Sequence, residues 1–342
     1  MPLTPRQAAI LQVVVKEHTR EGVPVASETV AQRSELRVSP ATIRNDLAEL
    51  EQEGYILRPH TSAGAVPSDK AYRFYVESLQ EPAPPDTELQ ATLRYRFRRS
   101  QPSLEGWSRV AAQLLADLVH CMAIATLPRA LESRWKHLDL VSLQEFLALL
   151  VMVLQGTRVA QQLLPLRQPA TQDQLNVVAN KLNATFGGRS RRELEADLGE
   201  LEPLEGQAAN VAVEMLKADE RARFPDYYID GLRHIFSYPE LAAGSRPRDV
   251  AELLEDRDLM VEVFGDLPQR GTVHVTIGSE HKSERLRPFS VVFAQYGALE
   301  QATGILGIVG PRRMEYPSVI AHVRYLSGFM SELVEGVRGR LP

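Results

Sequence analysis

Three closely spaced helix starts near the N-terminus restrict what this chain can fold into more than any other feature. Thr4-Pro5-Arg6-Gln7 offers a threonine N-cap, a proline at the first helical position and a glutamine three residues past the cap, which together satisfy orphan amides at a helix start. Ala8, Leu11, Val14 and Val15 then recur at helical spacing until Gly22-Val23-Pro24 stops the element. Ser27 is placed to cap a second, short helix running through Ala31 to about residue 36, and Ser39-Pro40 repeats the cap-then-proline start for a third.

The third helix carries the informative chemistry. Ile43, Leu47 and Leu50 form its buried stripe, whereas Thr42, Arg44, Asn45 and Ala48 turn away from it. An exposed first turn with small, amide and guanidinium groups suits the major groove, where arginine pairs bidentately with guanine and asparagine with adenine. Gly54 ends the helix, and residues 55–59 and 65–67 read as two short strands around the polar tip His60-Thr61-Ser62-Ala63-Gly64. The expectation is a winged helix-turn-helix over residues 1–79 that contacts DNA through Ser39, Ala41, Thr42, Arg44 and Asn45 on the helix and His60, Thr61 and Ser62 on the wing. Thr42, Arg44 and Asn45 are the expected base readers. The same spacing also fits three capped helices and a hairpin that touch only protein, with Arg44 a solvated cation.

Bulk charge does not choose between these readings. The chain carries a net charge of −5, and its first eighty residues hold nine basic against ten acidic side chains, so a DNA contact has to be a local face rather than a net excess. Its 342 residues suggest two or three domains at roughly 100–200 residues each. The single cysteine, Cys121, has no internal disulfide partner, and Met1-Pro2-Leu3-Thr4-Pro5-Arg6 lacks a basic start followed by an apolar run. The most apolar stretch, residues 146–154, is far shorter than the roughly 20 residues of a membrane-crossing helix. A cytoplasmic protein with no membrane partner is expected.

Glu81-Pro82-Ala83-Pro84-Pro85-Asp86 is a semi-rigid spacer by composition, so residues 80–104 are expected to be linker and connecting helix. Arg94-Tyr95-Arg96-Phe97-Arg98-Arg99 reads as a solvated helix face, with phosphate contact at an operator flank as the alternative. A helical pattern over residues 107–127 gives way to strands at 141–142, 146–154 and 158–166, with Gln155-Gly156 turning between the last two. A helix at 176–186 and a mainly helical, acid-rich stretch at about 191–264 follow, and strands return at 273–277, 290–295 and 304–309. The economical arrangement is an α+β domain whose halves, 105–190 and 269–342, share one sheet around a helical insert at 191–268. In the last helix Val323, Leu326, Met330, Leu333 and Val337 form a seam, read as packing on its own sheet before packing on a partner.

Several runs resemble the signature of the HrcA heat-shock repressors. They are Ser39-Pro40-Ala41-Thr42-Ile43-Arg44-Asn45-Asp46-Leu47, Leu50-Glu51-Gln52-Glu53-Gly54-Tyr55, Pro59-His60-Thr61-Ser62-Ala63-Gly64 and Pro67-Ser68-Asp69-Lys70-Ala71-Tyr72-Arg73-Phe74-Tyr75-Val76. Two later runs extend the resemblance, Gly231-Leu232-Arg233-His234-Ile235-Phe236-Ser237-Tyr238-Pro239-Glu240 and Gly307-Ile308-Val309-Gly310-Pro311-Arg312-Arg313-Met314-Glu315-Tyr316. One departure stands out: Ala65 follows Gly64 where that family carries a basic residue, which implies a lost phosphate or minor-groove contact. The resemblance implies a GAF-like α+β domain with an inserted dimerisation domain. It further implies a homodimer that represses chaperone operons at an inverted-repeat operator, is relieved by heat stress, and is modulated by a GroEL-type chaperonin.

Other chemistry is weakly signalled. Gly304, Gly307 and Gly310 lack a following Gly-Lys-Ser/Thr and read as tight strand packing. His120-Cys121 has no orienting third group, so a buried structural cysteine is expected. The dispersed His60, His120, His137, His234, His274, His281 and His322 lack zinc-site spacing, so neither metal nor cofactor is expected, and no enzyme constellation emerges. A metabolite sensor with the N-terminal domain as its output is the rival reading.

Overall fold

The computed structural model describes residues 3–34, 36, 38–58, 64–80, 83–128, 133–154, 159–199, 201–221, 227–242, 271–298 and 302–338. It divides into two compact units. One comprises Met1–Pro128, Asp226–Ala298 and Gly304–Pro342, and the other Arg129–Pro225 with Leu299–Thr303.

The first unit opens with α1 (Pro5–Glu21), α2 (Ser27–Arg33) and α3 (Pro40–Gln52). Thr4 and Gln7 form the expected capping box, with Thr4 N–H donating to Gln7 Oε1 at 2.9 Å, and Gly22 closes α1 at φ 69°. Ser27 does not cap α2: Ala26 holds the cap position, and the Ser27 hydroxyl donates to Glu28 at 3.2 Å. That helix also ends at Arg33 rather than near residue 36, because Ser34 leaves the helical conformation at φ −78° and ψ 140°. β1 (Ile56–Leu57) pairs antiparallel with β2 (Val66–Pro67), and Val25 bridges to Ala65 beside them through bonds of 2.9 and 2.7 Å. α4 (Asp69–Ser78) is capped by Ser68.

Beyond the proline-rich spacer come α5 (Thr87–Arg99) and α6 (Leu104–Val119). In α5, Leu93 and Phe97 are buried while Arg94, Arg96, Arg98 and Arg99 are exposed, the solvated face expected of that basic run. β3 (Met122–Thr126), β7 (Tyr227–Asp230), β8 (Val273–Ile277), β9 (Phe289–Ala298) and β10 (Ala302–Pro311) form one five-stranded sheet in the order β7-β3-β10-β9-β8. Two short helices, α10 (Leu232–Ile235) and α11 (Pro239–Ala242), follow β7, and α12 (Tyr316–Arg338) closes the chain. Val323, Leu326 and Met330 of α12 are buried in the same apolar cluster as sheet residues Val292, Leu306 and Ile308, so this seam faces its own sheet.

The glycines of β10 are sites of close packing. A Cβ at Gly304 would meet the Tyr296 ring at 2.5 Å, one at Gly307 would meet Phe293 Cβ at 2.7 Å, and one at Gly310 would meet Met314 Sδ at 2.7 Å and Cys121 Sγ at 2.8 Å. Cys121 itself is buried, and burial pushes its thiol up to about 11.

The second unit holds β4 (Trp135–Gln144), β5 (Leu147–Leu154) and β6 (Val159–Pro165), with α7 (Gln172–Phe186), α8 (Arg191–Ala196) and α9 (Pro203–Arg221). Its antiparallel sheet β4-β5-β6 is separate from the five-stranded one, so the strands expected at 141–166 do not join that sheet, and the first half reaches it through β3 instead. The sequence-distant partner of β10 is β3, a run of small and apolar residues that the helical pattern of α6 masked. The insert expected at 191–268 is likewise drawn differently. The compact unit takes in the strands of residues 135–165, and β7 at 227–230 returns to the first unit; residues 243–268 and the Gln155-Gly156 turn lie outside the described residues.

Alternation along β5 explains the second unit. Ala148, Leu150, Met152 and Leu154 are buried in one cluster with Leu175, Leu182 and Phe186 of α7. The Asn183 amide fastens α7 to β4, accepting from Trp135 Nε1 at 2.9 Å and Leu138 N–H at 2.8 Å while donating to Leu138 O. On the opposite face the register aligns Val141 with Leu149 and Leu163, and Val153 with Val159; Val141, Val159 and Leu163 are exposed in the single chain.

Gly307→Ala should lower stability by about 1–3 kcal/mol through overpacking. Gly336→Ala, in α12 with nothing within 4 Å of its Cβ position, should raise it by about 0.5–1 kcal/mol. Urea denaturation of the two variants checks both signs.

Candidate nucleic-acid interface

The outward side of α3 is set by what its inward side buries. Ile43, Asp46, Leu47 and Leu50 are buried, whereas Ser39, Ala41, Arg44 and Asn45 are exposed and Thr42 is half-buried. The structure thus groups five of the candidate contacts on one end of one helix. Thr42 is partly committed to the helix start, since Ser39 Oγ accepts its N–H at 3.2 Å and lies 3.0 Å from its hydroxyl. The wing candidates His60, Thr61 and Ser62 lie outside the described residues.

Asp46 was invisible as a functional residue in the sequence, yet it orients the helix. Its carboxylate is 3% exposed and receives a bidentate pair from Arg6 of α1, at 2.8 and 2.9 Å. Gln7 adds a bond to Glu49 at 2.7 Å. A charged residue on the buried stripe, three positions after Ile43, was the available signal, because a buried carboxylate demands a partner.

Arg44 is 61% exposed but is not idle: Nη2 donates to Glu28 of α2 at 3.0 Å. The Glu28 backbone amide, then Arg44 and Ser27, hold the Glu28 carboxyl below its ordinary range. A pair this exposed is weak and exchanges readily for a stronger anion. Ala65 is 2% exposed and belongs to the apolar core of the first unit.

Sequence reasoning also missed the joint between winged helix and sheet within the first unit, which α4 makes. Arg73 Nε donates to Glu280 at 2.7 Å and Nη2 to Val275 O at 2.6 Å, while Asp69 accepts from Ser279 N–H at 2.9 Å and from Arg312 at 3.1 Å. Gly278 sits at φ 50° with the Asp69 carboxylate in the space a Cβ would need, so no larger residue fits there. The Tyr72 and Tyr316 rings are 6.0 Å apart, and His18 Nδ1 lies 2.8 Å from the Tyr72 hydroxyl.

These elements define a winged-helix protein whose DNA-binding class of domain is bolted to a mixed α/β domain. Residues 1–64 match the family model of the LexA DNA binding domain, and residues 106–320 match that of the HrcA protein C terminal domain. The chain is 35% identical over 340 residues to a heat-inducible transcription repressor HrcA of Dehalococcoides mccartyi, covering 99% of this chain and 98% of that one. It is 35% identical over 337 residues to the protein of the same name from Thermomicrobium roseum, covering 98% and 97%. A crystal structure described only as that of a hypothetical protein shares its fold, with a TM-score of 0.59, 22% identity and coverage of 98% of this chain and 99% of that one. The chain belongs to the HrcA family.

Asp46→Asn should weaken DNA binding although Asp46 points away from the helix surface, and Arg6→Ala should give a similar loss; equilibrium titrations of both against wild type check this. Burial first, then Arg313 and Arg312, push the His18 imidazole below its ordinary value, with Glu240 opposing. Below about pH 6.5 the unfolded chain takes up a proton that the folded chain resists, so the stability from neutral His18 is full above that pH and declines as pH falls through it. His18→Gln should flatten this acid limb in a series of denaturation curves.

Proposed function

We propose that the protein is a cytoplasmic transcription repressor that binds an inverted-repeat operator upstream of chaperone operons as a homodimer and releases it on heat stress. The observation that carries the reading is the exposed Arg44 and Asn45 on the first turns of α3, in a chain aligned end to end with heat-inducible repressors. Thr42, Arg44 and Asn45 read bases, and Ser39, Ala41, His60, Thr61 and Ser62 contact the operator around them. On this reading the α/β domain is GAF-like and the second unit is the dimerisation insert. The exposed Val141, Val159 and Leu163, on the same face as half-buried Leu149, support that role, because such a surface is ordinarily covered by a partner. A GroEL-type chaperonin restores the DNA-competent dimer after heating, a role that fits a chain built of two compact units.

Arg44→Ala should weaken operator binding roughly 5- to 150-fold and relax preference at one base position, while binding to scrambled duplex changes little. A uniform loss on all duplexes would assign Arg44 to a phosphate. Leu163→Lys should give a monomer in analytical ultracentrifugation and lose about 100-fold in operator affinity, the contribution of the second half-site.

A further inference from the structure

Between the winged helix and the sheet of the first unit lies a cavity of about 390 Å³. Its walls come from the C-terminal end of α1, β2, α4, α11, the turn before β9 and the turn after β10. That volume is within the range of about 300–1,000 Å³ that small-molecule sites occupy. The wall has two chemistries. Val66, Pro67, Leu241 and Pro288 supply apolar surface, and Arg287, Arg312 and Arg313 bring three guanidiniums against the single carboxylate of Glu240.

The three arginines differ in how firmly they are held. Arg313 is committed, packed over Gly22 and bonded to Glu240 at 2.5 Å and Thr19 O at 3.3 Å. Arg312 is 53% exposed and shares Asp69 with the Ser279 amide. Arg287 is 50% exposed, and its partner Glu284, at 3.0 Å, is itself 84% exposed. Neither Asp69 nor Glu284 is part of the cavity wall. Exposed ion pairs of this kind are readily exchanged for a ligand that offers the same guanidiniums a better-placed anion in a less hydrated site. The lowered proton affinity of His18, which faces Arg313, Arg312, Glu240 and the Tyr72 hydroxyl, is the response of a base held in a cationic, partly dry pocket.

We propose that this cavity is a binding site for a small anionic ligand that carries a phosphate or carboxylate beside a compact apolar body. The anionic group bridges Arg287 and Arg312, and the body lies on Pro67, Leu241 and Pro288. An occupant touches α1, β2 and α4 on one side and the turns before β9 and after β10 on the other, so it stiffens the joint that carries the winged helix. The proposal stands independently of the operator reading.

The test is titration of the full chain with inorganic phosphate, adenosine monophosphate and hexanoate, with adenosine as the neutral control, followed by calorimetry and by the His18 ring proton signal in NMR. Saturable binding of at least one anion and none of adenosine is expected, and the bound anion should move the His18 titration upward. Arg287→Gln should weaken binding by about tenfold and Arg287→Lys by less, as expected for loss of one charge-assisted contact. Binding of no anion, binding undiminished in Arg287→Gln, or saturation without any change at His18 each overturns the proposal. The three anions separate the sources: phosphate alone marks an inorganic ion site, the nucleotide a phosphate ester, and hexanoate a carboxylate.

Discussion

Helix α4 is the element on which the rest of the first unit depends. Ala71, Tyr72 and Tyr75 are buried, and the apolar cluster they join runs without a break from Ile10 and Leu47 of the winged helix to Val292 and Met330 of the α/β domain. The polar side of α4 then fixes the angle. Arg73 reaches Glu280 and the Val275 carbonyl, and Asp69 occupies the space over Gly278. Apolar burial supplies adhesion without direction, and bidentate, charge-assisted bonds supply the direction. A winged helix joined only through the proline-rich spacer would have neither.

The same division of labour recurs at α3. Ile43, Leu47 and Leu50 hold α3 in the core, while the buried Asp46 and its two bonds to Arg6 fix rotation about the helix axis. That rotation decides that Arg44 and Asn45 face outward. Many cations of this domain are already matched: Arg20 and Arg33 with Glu17, Arg58 with Glu51, Arg44 with Glu28. Exposed pairs cost little to exchange for phosphates, so on the proposed reading nearly balanced charge is no bar to DNA contact.

Local signals in the sequence were legible wherever a single short stretch determines the outcome. Thr4 and Ser39 cap helices, Gly22 and Gly54 adopt the left-handed turn, and the wing strands pair where alternation and turn residues put them. The β10 glycines read correctly as close packing because strands tolerate glycine only where something needs the space. Ser27 failed as a cap because its hydroxyl found Glu28 next door. What the sequence hid was pairing at long range. Nothing in residues 122–126 announces that β3, rather than the longer apolar strands β5 and β6, joins β10, and nothing in Asp69, Arg73 or Glu280 announces a partner some two hundred positions away. Such contacts are chosen by topology, which periodicity cannot report.

On the proposed function, this family member recognises a particular DNA sequence through α3. A binding titration of the full chain on a chaperone-operon promoter fragment and on a scrambled duplex, at one stated physiological salt, tests it most directly. The expected result is a preference of at least about 10³ for the promoter fragment. Equal affinity for the two duplexes would contradict the claim and leave α3 as a helix that touches DNA only through its phosphates.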